Sequence, residues 1–275
     1  MATEVISGPL GEERILAASG GAALTTTASY TQFLKGVNYI VVTPRAFSAS
    51  TVLAQWTLNP YLVVLKTTGS MITGNIDYSE NAQDANTNTN VNLVSLDTLA
   101  NGDFLLVGGH LPFRGVYCDV NGANDQESTL TVSYWNTATW TDIADTDGTI
   151  SGTTTMAVDG LVYWTVPTTW KADTLTRMYP ELNTSPLDAV AVYKDIPLYW
   201  TRWEVSAALG TATTLHSMVA ANRDTAYPEF LSGQTREMTV KTREVGGYGC
   251  IEHKTTAGTA YLIILGSARK ESKVS

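Results

Sequence analysis

The sequence predicts an all-β protein in which a β-sandwich is inserted into a second, smaller β domain. Short segments rich in β-branched and aromatic residues recur along the chain, parted by Pro, Asn, Ser and Gly. Several alternate apolar and polar residues with the two-residue period of a half-buried strand, and no segment carries a convincing helical stripe. Nearly the same heptapeptide also stands near both ends, YTQFLKG at Tyr30 to Gly36 and YPEFLSG at Tyr227 to Gly233.

Taken in order, residues 1–24 read as an extended N-terminal arm. The segments NYIVVTPRAF, TVLAQWTL and PYLVVLKTT then read as strands. DYSENAQDANTNTNVN, Asp77 to Asn92, holds almost nothing a core could use and reads as a surface loop at a domain boundary. Six strand-like segments follow: DFLLVGG, FRGVYCDV, STLTVSYW, LVYWTVP, LYWTRWEVS and TLHSMVA. In STLTVSYW, Leu130, Val132 and Tyr134 share one face while Thr129, Thr131 and Ser133 share the other. Strands that each hide one face call for two packed sheets, so this region reads as a sandwich or jelly roll. Short helices are expected only at PLDAVAVY and around Ala220 to Asp224.

The repeated heptapeptide sets the domain plan. Tyr61 of PYLVVLKTT lies 31 residues beyond Tyr30, and Tyr261 of AYLIILGSA lies 34 beyond Tyr227. Each half therefore reads as one small unit closed by a Tyr-Leu strand, too small to bury a core alone. The plan is an outer domain of residues 25–70 and 222–268, an inserted sandwich of 75–215, and a flexible tail of 269–275. If it holds, the two Tyr-Leu strands take equivalent places in one domain.

Composition narrows the function classes. With 17 Lys and Arg against 26 Asp and Glu the formal charge is −9, and the basic residues form no run, so a nucleic-acid partner is not expected. No stretch has the length or apolarity of a membrane span or secretory signal, so no membrane is expected and synthesis in a cytoplasm is. Only 16% of residues are charged, and the polar remainder suits a β-rich assembly protein. Cys118 and Cys250 are far apart and read as free buried thiols.

Chemistry-bearing patterns are sparse. Asp119, Asp125, Glu127, Asp142, Asp145, Asp147 and Glu204 supply carboxylates, but most stand in turn-like text where Asp caps backbone. The loops holding Asp119, Asn121, Asn124 and Asp125, and Asp142, Asp145 and Asp147, are calcium candidates by oxygen content alone. His110, His216 and His253 lack metal-ligand spacing, and there is no nucleophile elbow, phosphate loop or dinucleotide fingerprint. No cofactor and no enzyme activity are expected. The aromatic pairs say more: adjacent rings on a strand face opposite ways, so one fills the core and its neighbour meets another surface. Tyr134, Trp135, Trp140, Trp164, Tyr199 and Trp200 are therefore candidates for subunit contacts or sugar stacking.

From Asp103 to about Leu209, the run DFLLVGGHLPFRGVYCDV, STLTVSYWNTATWTDI, DGLVYWTVPTTW and IPLYWTRWEVSAAL resembles a module of tailed-bacteriophage and prophage structural proteins. Tyr134, Trp135, Asn136 and Trp140 match its first signature, and Tyr199, Trp200 and Arg202 its second; the glycine usual after Tyr-Trp-Asn is Thr137 here. The resemblance implies a jelly-roll-like β-sandwich in a virion protein. Its expected role is capsid decoration or cement, with the major capsid protein and copies of itself as partners. A tail or baseplate module that binds host carbohydrate is the alternative.

Overall fold

Chain direction changes unit twice. In the computed structural model, residues Met1–Asn59 and Asp224–Ser275 form one compact unit and Pro60–Arg223 a second, inserted between them. The structure describes all residues except 1–4, 9–10, 18–22, 34–38, 72–73, 85, 87, 95, 184–191, 222–226, 241–245 and 268–275. Strand dominates throughout, as the sequence predicts.

The first half of the outer unit supplies β1 (Val5–Gly8), β2 (Gly11–Ala17), β3 (Ser29–Phe33), β4 (Tyr39–Arg45) and β5 (Ala54–Pro60). In place of the expected N-terminal arm, β1 and β2 form an antiparallel hairpin.

The inserted unit opens with β6 (Leu62–Thr67), β7 (Ile76–Asp77) and β8 (Val91–Asn92). It continues through β9 (Phe104–Gly109), β10 (Gly115–Gly122), β11 (Leu130–Trp135) and β12 (Trp140–Asp142). Then come β13 (Thr146–Asp147), β14 (Gly160–Tyr163), helix α1 (Leu175–Met178), β15 (Tyr199–Val205) and β16 (Thr214–Ala221). One sheet runs β13-β14-β10-β16-β8 and the other β12-β11-β15-β9-β6-β7. From β8 onward successive strands alternate between sheets, apart from the β11–β12 hairpin and the short β13. The result, β8-β16-β10-β14 against β9-β15-β11-β12, is the double Greek key of a jelly roll. Val116, Cys118, Val162 and Met218 from the first sheet meet Val107, Val132, Tyr134 and Trp203 from the second in one core.

The boundary falls earlier than the sequence suggests. β6, the PYLVVLKTT strand assigned to the outer domain, pairs with β9 of the jelly roll. The polar stretch after it is no linker: Tyr78 and Ala82 enter the core. Its side chains act as a surrogate strand for the edge of β6. Gln83 accepts from Leu62 N at 2.7 Å and donates to Leu62 O at 2.6 Å, while Ser79 Oγ accepts from Val64 N at 3.0 Å. Burial of this stretch thus comes from pairing backbone groups, which hydropathy does not register.

The second half of the outer unit adds β17 (Glu229–Phe230), β18 (Arg236–Thr239), β19 (Tyr248–Thr255) and β20 (Tyr261–Ser267). Its sheets run β1-β2-β20-β4-β18 and β17-β5-β19-β3. Ile40, Val42, Leu262 and Ile264 of the first pack with Ala54, Trp56 and Ile251 of the second. The four-stranded order is unchanged when β3 exchanges with β17 and β5 with β19. Residue pairing follows: Phe33 lies opposite Cys250 as Phe230 lies opposite Ala54. β4 and β18, which follow the two heptapeptides, pair with each other.

Three strands of each half are thus equivalent, but the closing strands are not. β20 adds to β4 while β6 joins the jelly roll, so the two Tyr-Leu strands lie in different units. The expected helix at PLDAVAVY falls mostly on residues outside the described set, as does the 269–275 tail; Ala220 and Ala221 belong to β16.

Candidate interaction surface

The large rings are spent inside the chain. On β15, Trp203 points into the jelly-roll core and meets Trp164, from which a chain of edge-on contacts at 5.2–6.4 Å runs through Phe113 and Trp170 to Tyr134. The indole N–H groups of Trp164 and Trp170 donate to Phe113 O at 3.0 Å and Trp200 O at 3.2 Å. Their polar ends are satisfied, so burial carries little penalty.

Outward rings were expected to meet a partner; instead the β14–β15 connection covers them. Asp173 organises this cover, its carboxylate accepting from Trp135 Nε1 at 3.0 Å and pairing with Arg177 at 3.1 Å, while its carbonyl accepts from Trp200 Nε1 at 3.1 Å. Gly108 lies opposite Trp200, and a Cβ there would stand 2.6 Å from the indole, so only glycine admits the ring. The Arg202 guanidinium lies over Trp140 at 5.0 Å and Phe104 at 5.8 Å and pairs with Glu204 at 2.6 Å. Tyr134, Trp135, Trp164 and Trp200 are consequently buried, the first and third in the core and the other two beneath the connection, a correction to their reading as contact or stacking residues. Trp140 and Tyr199 are partly buried, Tyr199 edge-on to Trp170.

The acidic turns spend their oxygens on backbone. Asp142 accepts from Ala144 N at 2.7 Å, Asp145 from Val132 N at 2.9 Å, and Asp147 from Thr149 N at 2.8 Å. Asp125 accepts from Gln126 Nε2, and Asn121 donates to Asn90 Oδ1. Buried Asn124 joins Gln126, Ser128, Thr155 and Gly210 by five hydrogen bonds of 2.9–3.1 Å. Asp142, Asp145 and Asp147 therefore hold turns, while Asp119 lies within β10, and among the described residues no three His, Cys, Asp or Glu side chains gather as a metal site. Cys118 and Cys250 are free and buried.

One sheet face keeps an aromatic in solvent. With Val162 inward on β14, Tyr163 and Leu161 point outward, and Tyr163 is 45% exposed. Register sets Leu161 opposite half-buried Tyr117 of β10 and Tyr163 opposite Gly115. Ile150 and Val158 are exposed at the adjoining turn. Along β10 the same face continues to Asp119, and Asp159, just before β14, accepts from Val120 N at 2.8 Å. Burial, then the neighbouring Asp159, pushes the Asp119 carboxyl up from its ordinary value, with His216 opposing. The Tyr117 phenol is pushed up by burial and by both carboxylates. Sequence reasoning paired Tyr163 with Trp164 but chose Trp164; the alternation Leu-Val-Tyr-Trp shows two faces without saying which one the core takes.

Comparison with protein-family models, with curated proteins and with solved structures finds no match for the chain.

Proposed function

We propose that the chain is a non-catalytic structural subunit of a tailed-phage particle, a decoration or cement protein that strengthens the head by contacts with the major capsid protein and with neighbouring copies. The observation that carries this reading is the jelly-roll strand order, an architecture used by viral capsid and lectin domains. Support at residue level comes from the two signatures: Tyr-Trp-Asn ends β11 and Tyr-Trp-x-Arg opens β15, adjacent strands of one sheet. The Tyr163 face supplies a surface for a neighbour, and several such contacts on a lattice multiply weak affinities.

Antibody-labelled electron microscopy of purified particles tests it. The reading expects label over the head, with vacant surface sites and lower resistance to heat or osmotic shock in particles lacking the protein. Label along the tail, with head outline and resistance unchanged, overturns it.

A host-glycan module on a tail is the second reading, favoured by the exposed ring of Tyr163 on the same sheet face as Asp119. The burial of Trp135 and Trp164 removes the platforms first expected for it.

A further inference from the structure

We propose that the outward face of β10 and β14 docks a basic protein segment, one that sets a lysine or arginine between Asp119 and Asp159 and lays an apolar side chain on Tyr163. The inference rests on reading this face as the subunit's contact surface, and it names the chemistry of the neighbour.

Geometry defines the two halves of the site. Tyr163, Leu161 and Tyr117 form an apolar strip held by the β10–β14 register, and Gly115, opposite Tyr163, adds no side chain to it. Asp119 follows Tyr117 by one full strand period, and Asp159 precedes Leu161 by another, so both carboxylates stand at the same end of the strip. The Asp159 to Val120 N hydrogen bond draws that carboxylate beside β10 and leaves its second oxygen for a ligand. Neither acid has a Lys or Arg ion-pair partner among the described residues. The neighbouring basic group is His216, whose charge opposes the rise in the Asp119 pKa.

Charge then selects the occupant. Burial, then the charge of Asp159, already raises the cost of ionising Asp119, and an incoming cation offsets both. A second copy presenting the same face would add two more carboxylates, from a chain whose net charge is −9. Nucleic acid or an anionic membrane meets the same repulsion. A Lys or Arg about four residues along an extended segment from an apolar residue is complementary to both ends of the strip.

Selection of a displayed library of random short peptides on the full-length chain provides the probe, with Asp119→Asn/Asp159→Asn and Tyr163→Ser as comparison proteins. Asn keeps the shape of Asp, and circular dichroism verifies folding. The proposal expects enriched peptides to carry Lys or Arg about four residues from an aromatic or aliphatic residue, the spacing at which an extended peptide spans the strip, and to bind more weakly as salt rises. It expects each variant to lose about ten-fold in affinity. Enrichment of peptides without basic residues, no enrichment, or equal binding by the double Asn variant overturns it. So does dimerisation in sedimentation that Tyr163→Ser abolishes, or glycan-array binding that needs Tyr163. Particle incorporation of the same variants separates this inference from the reading beneath it. Loss of peptide binding with normal incorporation leaves the basic site standing and removes its role in the particle. Loss of incorporation with non-basic peptides does the reverse.

Discussion

Thr137 shows how one residue reports on its turn. It holds φ of 89°, a left-handed conformation that a β-branched residue adopts at a cost and glycine does not. Thr137→Gly is expected to raise stability by about 1 kcal/mol in urea unfolding, after the entropy cost of glycine. Asn124 is the opposite case, with every amide atom engaged; Asn124→Ala leaves Gly210 N–H and Thr155 C=O without that partner and should cost at least about 3 kcal/mol. His253 makes a pH prediction. Burial lowers its pKa from 6.5 to about 4, so the unfolded chain binds more protons between those values. Its contribution is fully present above pH 6.5 and falls as pH drops, by about 3 kcal/mol at pH 4. Urea midpoints measured across that window should slope less in His253→Gln.

At the scale of elements, alternation in STLTVSYW identified the inward set of β11 because Leu130, Val132 and Tyr134 are its apolar face. Paired rings were less legible. Trp200 faces away from the core yet is fully buried, since the β14–β15 connection folds over it and brings Asp173 to its indole. Nothing in the spacing of YWTRW announces a cover that arrives from a separate stretch of chain. The Asp77 to Asn92 segment misled for a related reason: Gln83 and Ser79 enter the fold as hydrogen-bond surrogates rather than as apolar mass. Gln83→Leu keeps the volume and removes the pairing, so it should destabilise the jelly roll by about 2–4 kcal/mol, with hydrogen exchange at Leu62 and Val64 rising first.

For the whole molecule, the insertion makes a prediction about autonomy. Residues 60–223 contain every strand of both jelly-roll sheets and should fold alone, giving a cooperative urea transition. Residues 1–59 alone should remain unfolded, because β4 and β5 need β18, β19 and β20 from the far end of the chain. Circular dichroism of the two fragments checks both outcomes.

Most strand-forming segments, the inward face of β11 and the likeness of β3 to β17 that the heptapeptides announce were determined by the sequence itself, because they are local periodicities and local likenesses. The partner of each strand was decided only in three dimensions. PYLVVLKTT and AYLIILGSA carry nearly the same letters, yet β6 extends a jelly roll while β20 closes the outer sandwich. A strand's edge hydrogen bonds are generic, and the free energy of burying its faces depends on which sheet is within reach.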